Sequence, residues 1–162
     1  MENIKLLAQR LVAELVSRGL TLSTAESCTG GAVAAAVTGV AGCSAVFKGS
    51  VVAYSNEVKA RVLGVESSTL EAHGAVSEAT VREMVAGVRA LVGSDCAVAT
   101  SGIAGPGGGS PDKPVGTVWV AVDVCGKVKT CLLRLDDEGR AKNIEKTVGE
   151  VLLLLCNELG EE

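Results

Sequence analysis

Apolar residues recur along the chain at two different spacings, and each spacing predicts a different type of element. A repeat of three or four residues predicts an amphipathic helix, because such positions share one helix face. Repeats of this kind span residues 4–16, 81–92 and 144–155. Gly19 follows the first repeat and Ser77 precedes the second, as expected for a helix end and a helix start. The sequence therefore predicts three long helices.

Short apolar runs between these repeats predict β-strands. They span residues 20–25, 46–54, 96–100, 115–122 and 127–135. The run at 96–100 is continuously apolar, which is typical of a strand buried on both faces. Cys125 and Gly126 join the last two runs as a predicted hairpin.

Shorter helices are predicted between the strands, at residues 32–40, after Ser55 or Asn56, and at residues 67–73. Because helices alternate with strands and the last two strands form a hairpin, the pattern predicts an α/β fold. We expect a three-layer α/β/α sandwich with a mixed, mostly parallel sheet, in a single domain over residues 1–162. Ligands of such sheets bind beyond the carboxyl ends of the strands.

The composition limits the classes of partner and site. Only 2% of the 162 residues are aromatic and the formal net charge is -4, so a nucleic-acid-binding surface is not expected. No apolar run approaches the length of a membrane span, and the first residues lack the apolar core of a signal peptide. The six cysteines have no C-x-x-C spacing and there is one histidine, so no metal site is expected. We expect a reduced, cytoplasmic protein.

The turn Ala-Glu-Ser-Cys-Thr-Gly-Gly at residues 25–31 is the first candidate site. Ser27 can cap the following helix or act as a nucleophile, and the heptapeptide alone favours the cap. It does not match the G-x-S-x-G pattern of α/β-hydrolases. Cys28 is a rival nucleophile, because a helix N-terminus lowers the pKa of a thiol. The usual base for cysteine is histidine, however, and His73 is predicted in a surface turn.

A serine nucleophile needs a base, and Lys59 is the lysine best placed by sequence. It is predicted in the first turn of a helix, where the helix dipole favours its neutral form. A neutral lysine can accept the serine proton, and Tyr54 could relay or orient that proton. The alternatives are a solvated surface charge for Lys59 and core packing for Tyr54.

The glycine-rich loop at residues 101–111 is the second candidate site. It is neither a P-loop nor G-x-G-x-x-G. Its backbone N–H groups and the hydroxyls of Thr100, Ser101 and Ser110 suit a phosphate, a ribose or a carbonyl oxygen. A flexible loop is the alternative. Arg140, at the start of the last helix, is either an anion ligand or an ion-pair partner of the acidic residues 136–138.

Several blocks of sequence, in a fixed order, resemble the C-terminal domain of the CinA (competence-damage-inducible) family. The blocks are TAESCTGG at 24–31, YSNEVK at 54–59, LGV at 63–65, HGAVSE at 73–78, SGIAGP at 101–106 and KPVGTV at 113–118. The resemblance covers nearly the whole chain and implies an α/β/α fold with a mixed sheet. Stand-alone members of the family hydrolyse the carboxamide of nicotinamide mononucleotide, giving nicotinate mononucleotide and ammonia. No metal or organic cofactor is expected.

The resemblance also implies roles for individual residues. It places the nucleophile on Ser27, the lysine on Lys59 and a supporting tyrosine on Tyr54. It places the arginine of a late F-x-G-D-R motif on Arg140, although this chain has Leu135 in place of the phenylalanine and Glu-Gly-Arg in place of Gly-Asp-Arg. The oxyanion is expected at backbone N–H groups near residues 29–31 or at Gly102. The expected substrate-binding residues are Glu26, Cys28, Thr29, Gly30, Gly31, Asn56, Ser101, Gly102, Gly105 and Arg140.

Two alternatives to this amidase stay open. The domain could bind a nucleotide without catalysis, or it could act on another small carboxamide. Many family members carry an additional N-terminal domain resembling a nucleotide pyrophosphatase, and we expect none of that second activity here. The expected partner is a small-molecule nucleotide substrate, and a homodimer is expected because nearly half of the residues are apolar.

Overall fold

The computed structural model describes residues 3–161, which form one five-stranded sheet with helices on both faces. The strands are β1 (Leu22–Glu26), β2 (Phe47–Val52), β3 (Cys96–Gly102), β4 (Thr117–Val124) and β5 (Lys127–Arg134). The helices are α1 (Ile4–Arg18), α2 (Ala32–Thr38), α3 (Asn56–Leu63), α4 (Ser67–His73), α5 (Glu78–Val92) and α6 (Arg140–Gly160). The ends of the domain predicted over residues 1–162 lie outside the described residues, so those bounds stay a prediction.

The sheet is mixed, as predicted, and its strand order is β2-β1-β3-β4-β5. β1 pairs in parallel with both β2 and β3, whereas β4 runs antiparallel to β3 and to β5. Only β4 therefore runs against the other strands. Glu26 pairs with Val52 on one side and with Thr100 on the other, so β1, β2 and β3 reach the same edge of the sheet together.

Two separate cores lie on the two faces of the sheet and confirm the three layers. The larger core packs α1, α2 and α6 against one face, and the second core packs α3 and α5 against the other. The alternation is clear in β3, where Cys96 and Val98 point to the first core and Ala97 and Ala99 to the second. The small alanines let α5 approach the sheet closely.

Helices α3 and α5 touch through their backbones at Gly87. A β-carbon at this position would overlap the carbonyl oxygen of Leu63, the last residue of α3. The glycine therefore fixes the distance between the two helices. This matters for the site, because α3 carries Lys59.

The strands predicted at 20–25 and 115–122 form at Leu22–Glu26 and Thr117–Val124, and the helix predicted at 32–40 ends at Thr38. Three further local features differ from the predicted elements. The predicted strand 46–54 ends at Val52, because the chain leaves the sheet to enter the Ser55 cap of α3. The predicted strand 96–100 continues to Gly102, because β4 pairs with these two additional residues. A single turn of 3₁₀ helix at Cys43–Ala45 was not predicted. Within residues 3–161, no helix is both long and apolar enough to cross a bilayer.

Candidate active site

Ser27 lies in a tight turn immediately after β1. Its backbone N–H donates to the carbonyl of Thr100 at 3.0 Å, which ties the turn to β3. Its own carbonyl accepts from the N–H of Gly30 at 3.0 Å. Gly30 and Gly31 both have left-handed backbone angles, with φ of 59° and 105°, which favour glycine. The turn holds the Ser27 side chain in a largely buried position.

Lys59 reaches Ser27 from α3, the helix that follows β2. Ser55 caps α3 by accepting a hydrogen bond from the N–H of Val58, and Lys59 follows one position later. The Lys59 Nζ lies 2.9 Å from Ser27 Oγ and 3.1 Å from the carbonyl oxygen of Tyr54. Only 1% of the lysine is exposed. Two residues that are 32 positions apart in the sequence therefore meet in a buried contact.

Burial lowers the pKa of Lys59 below its ordinary value of 10.5, and the nearby Cys28 opposes this shift. No ion pair found within residues 3–161 includes Lys59. The amine donates to Ser27 Oγ and to the Tyr54 carbonyl, and in its neutral form the same nitrogen has a lone pair that accepts the Ser27 proton. The contact can therefore transfer a proton from serine to lysine. The expected cause of the lowered pKa was the helix dipole, and the cause that the structure gives is burial.

Cys28 is buried beside this pair and packs into the larger core. Burial raises the pKa of its thiol to about 11, and a hydrogen bond with Thr100 opposes the shift. At neutral pH the side chain is therefore a protonated thiol, which is a poor nucleophile. Cys28 is a neighbour of the candidate nucleophile rather than a competitor.

Glu26 is fully buried, and its carboxylate faces the start of α2. It accepts hydrogen bonds from the backbone N–H groups of Val33 at 2.8 Å and Ala34 at 2.9 Å, and from Thr29 Oγ1 at 2.7 Å. Thr29 Oγ1 also lies 2.8 Å from Thr100 Oγ1. Both side chains were expected to bind substrate, but their hydrogen bonds are made inside the protein. They hold the Ser27 turn, and Glu26 occupies N–H groups of the first turn of α2.

Arg140 lies on the exposed rim of the same edge. Its Nη1 donates to the carbonyl of Gly105 and its Nη2 to the phenol oxygen of Tyr54, both at 2.8 Å. The glycine-rich loop, the start of α3 and the start of α6 therefore meet at one point. Within residues 3–161, no ion pair joins Arg140 to the acidic residues 136–138, which was the alternative role.

Tyr54 contacts the catalytic candidates in a different way from the one expected. Its backbone carbonyl, and not its phenol, accepts from Lys59. The side chain is 59% exposed and its hydroxyl is bonded to Arg140. The geometry therefore gives the phenol a place at the rim and not in the buried Ser27–Lys59 contact.

Of the remaining residues expected to bind substrate, some lie at the edge of the sheet that carries Ser27 and one lies on another surface. Ser101 is buried in β3, opposite Trp119. A β-carbon on Gly102 would lie 2.8 Å from the carbonyl oxygen of Thr117, so only glycine fits there without movement. Asn56 is exposed at the start of α3 and lines a separate open cleft of about 320 Å³ toward α4. The structure therefore brings Ser101 and Gly102 to the site edge, while Asn56 lines another surface.

One residue at this edge was missed by the sequence analysis. Asn143 is 1% exposed, and its Nδ2 donates to the carbonyl of Ala104 and to Asp137 Oδ1, both at 3.0 Å. An asparagine in the first turns of a helix that follows a polar segment is usually solvated, so the sequence carried no signal for this role. Among the described residues, no group of His, Cys, Asp or Glu side chains could hold a metal ion.

The fold and the buried contact define an α/β/α domain with a serine–lysine pair at the carboxyl edge of a mixed sheet. Residues 4–159 match the family model described as the CinA C-terminal domain. The chain belongs to this family, which confirms the resemblance found in its motifs.

Similar proteins support the same conclusion. A CinA-like protein from Shewanella pealeana is 52% identical over 136 residues, which are 84% of this chain and 32% of the relative. The solved structure of the competence/damage inducible protein CihA from Agrobacterium tumefaciens has a TM-score of 0.95 and 42% identity, covering 99% of this chain and 97% of the other. A CinA superfamily protein from Klebsiella pneumoniae has a TM-score of 0.95 and 40% identity, covering 99% and 100%. The chain spans about a third of the length of the curated relatives that it matches.

Proposed function

We propose that this chain is an amidohydrolase that converts nicotinamide mononucleotide to nicotinate mononucleotide and ammonia. The observation that carries this proposal is the buried 2.9 Å contact between Ser27 Oγ and Lys59 Nζ, in which the lysine has no carboxylate partner among residues 3–161. A neutral lysine in that position is a general base, and the serine next to it is an activated nucleophile.

The proposed reaction has two steps. Lys59 takes the hydroxyl proton as Ser27 Oγ attacks the carboxamide carbon, and the proton then leaves with the amide nitrogen as ammonia. Lys59 next takes a proton from water, whose oxygen attacks the acyl carbon. Nicotinate mononucleotide is released and Ser27 regains its proton. The same lysine therefore acts in both halves, as acid and as base.

The developing oxyanion needs N–H donors that are not already engaged. The N–H groups of Gly30 and of residues 32–34 donate inside the protein. We therefore assign the oxyanion to the N–H groups of Thr29, Gly31 or Gly102, which lie at the same edge. Loss of one such donor typically lowers kcat by about 10²–10³-fold.

The phosphate end of the nucleotide is assigned to the rim. Arg140 carries a permanent charge there, and its guanidinium can form two parallel hydrogen bonds with a phosphate. Because Glu26 already occupies the first N–H groups of α2, the helix start is not the phosphate site. The substrate therefore lies with its carboxamide at Ser27 and its phosphate at Arg140.

The direct test is ammonia release from nicotinamide mononucleotide by the purified chain in the presence of EDTA. We expect turnover by the wild type, and a loss of about 10³-fold or more for Ser27→Ala and for Lys59→Met. Cys28→Ala is the matched control and should retain activity within a few fold. Undiminished turnover by Ser27→Ala would exclude the assigned nucleophile.

Two other outcomes would replace the proposal. Tight binding of the mononucleotide in calorimetry without any ammonia release would favour a non-catalytic nucleotide-binding module. Faster turnover of another small carboxamide in a substrate panel would keep the mechanism and change the substrate.

A further inference from the structure

The first turn of α6 contacts two successive carbonyl groups of the glycine-rich loop. Arg140 Nη1 donates to the carbonyl of Gly105 at 2.8 Å, and Asn143 Nδ2 donates to the carbonyl of Ala104 at 3.0 Å. The two side chains are three positions apart, so they lie on the same face of the helix. One is exposed and the other is buried. The loop and the helix start are therefore joined by a paired contact.

The Asn143 side chain uses both its donor and its acceptor groups in this region. Its Nδ2 also donates to Asp137 Oδ1 at 3.0 Å, and its Oδ1 accepts from the N–H of Glu138 at 3.3 Å. Gly139, which precedes α6, has no side chain that could cap the helix. The Asn143 amide therefore holds the segment before the helix, the helix itself and the loop in one arrangement.

We propose that Asn143 is the positioning residue that places the Arg140 guanidinium at the rim of the site. The identity of the ligand that Arg140 meets, a nucleotide phosphate, rests on the function proposed above. An arginine side chain loses rotamer entropy when it is held in one place, so fixed partners are needed to hold it. Its partners are the Tyr54 hydroxyl and the Gly105 carbonyl, and Asn143 holds that carbonyl within reach by bonding to the adjacent Ala104. This explains how Arg140 is presented by a segment that departs from the family motif.

The placement can be tested without any activity. We expect the Arg140 Nε–H group to be rigid in heteronuclear NOE measurements on the wild type and to become mobile in Asn143→Ala. Thr147→Ala is the matched control, because Thr147 is also 1% exposed in α6 and its hydroxyl bonds only to a backbone carbonyl of the same helix. An equally rigid Arg140 in Asn143→Ala would overturn the proposal. If that variant does not fold, Asn143→Ser removes the reach to Ala104 with a smaller loss of polarity.

The functional consequence is tested by a double-mutant cycle with Arg140→Ala. For nicotinamide mononucleotide we expect Asn143→Ala to raise KM about tenfold with kcat within about twofold, as for the loss of one charged hydrogen bond. For nicotinamide riboside, which lacks the phosphate, KM should not change. In the Arg140→Ala background, Asn143→Ala should change KM for the mononucleotide by less than about twofold.

Each contrary result has a separate meaning. Equal KM changes for both substrates, or an undiminished effect in the Arg140→Ala background, would show that Asn143 acts through the general fold and would overturn the proposal. Absence of ammonia release by the wild type would refute the proposed function instead, and the NMR measurement would still decide whether Asn143 places Arg140.

Discussion

Lys59 combines two properties that rarely occur together in a lysine: it is nearly completely buried, and no ion pair found within residues 3–161 includes it. Its Nζ meets a hydroxyl and a backbone carbonyl. Keeping a charge in such a place is unfavourable, so the folded protein binds the lysine proton less tightly than the unfolded chain does. The same shift that favours the neutral amine required by the proposed mechanism therefore reduces stability at neutral pH.

This shift predicts a pH dependence of stability that can be measured without substrate. Between the lowered folded-state pKa of Lys59 and its ordinary value of 10.5, the unfolded chain binds one proton more than the folded protein. The free energy of unfolding of the wild type should therefore rise with pH relative to that of Lys59→Met, by at most about 1.4 kcal/mol per pH unit. Urea unfolding of both proteins at several pH values between about 6 and 9 measures the difference.

Lys59→Met lacks the titrating amine and keeps every other titrating group of the wild type. The difference in unfolding free energy between the two proteins therefore reports Lys59. The Cys28 thiol has the opposite effect on the pH dependence of stability. Its pKa is raised to about 11 in the folded protein, so the free energy of unfolding falls as the pH rises above the ordinary value of 9.0. Measurements below about pH 9 avoid that effect. A difference between the two proteins that does not change with pH would mean that Lys59 keeps its proton in the folded state.

At the residue scale, the sequence was informative where a residue type by itself indicates chemistry. Ser27 and Lys59 could be selected because serine needs a base and the single histidine was poorly placed. The internal roles of Glu26 and Asn143 could not be predicted. Several of their partners are backbone groups, and Ala104 lies 39 positions from Asn143. A hydrogen bond to a distant backbone group does not depend on the residue type of the partner, so it cannot be predicted from the sequence.

At the scale of elements, periodicity located every long helix and every strand. The errors are at the ends, where the deciding interaction is with another segment. β3 reaches Gly102 because Gly102 pairs with Val118 of β4, and such pairing is not visible from residues 96–100 alone. The 3₁₀ turn at Cys43–Ala45 has no hydrophobic repeat that could have indicated it.

The contact between α3 and α5 gives a prediction at this scale. Alanine at Gly87 would normally favour the helix by about 1 kcal/mol. Its β-carbon would overlap the Leu63 carbonyl of α3, however, so the helices must separate. We expect Gly87→Ala to destabilise the protein by about 1–3 kcal/mol and to lower kcat by about tenfold or more, because Lys59 moves away from Ser27. Thermal unfolding and ammonia release measure the two effects.

Gly160→Ala is the control for this substitution. Gly160 is also in a helix, at the end of α6, and no atom would lie within 4 Å of an added β-carbon. Its stability should change by less than about 0.5 kcal/mol and its activity should not change. A Gly87→Ala variant that behaves like Gly160→Ala would show that α3 can shift without displacing Lys59.

At the scale of the whole molecule, the class of fold was predictable but the strand order was not. Alternation of helices and strands indicates layers, whereas the order depends on where each crossover returns. The strand order brings the parts of the candidate active site together. It places β1 between β2 and β3, so that the Ser27 turn, the start of α3 and the glycine-rich loop reach one edge.

The homodimer stays a prediction at this scale. Large apolar side chains such as Leu6, Val16 and Leu91 are more than half exposed, and β2 and β5 are edge strands. An interface would bury such groups. We expect sedimentation equilibrium to give twice the 16.3 kDa mass of one chain. A mass of 16.3 kDa that does not change with concentration would contradict the prediction.

The buried carboxylate of Glu26 has a consequence for the design of covalent inhibitors. It accepts hydrogen bonds from the Val33 and Ala34 N–H groups at the start of α2, so that helix start is not available to an anion beside Ser27. For the proposed mechanism, an electrophile aimed at Ser27 should therefore be uncharged, and an anionic group should be placed at the far end of the compound, where the proposal puts the phosphate next to Arg140. A reagent that carries a phosphonate or carboxylate beside the serine would find those N–H groups already engaged.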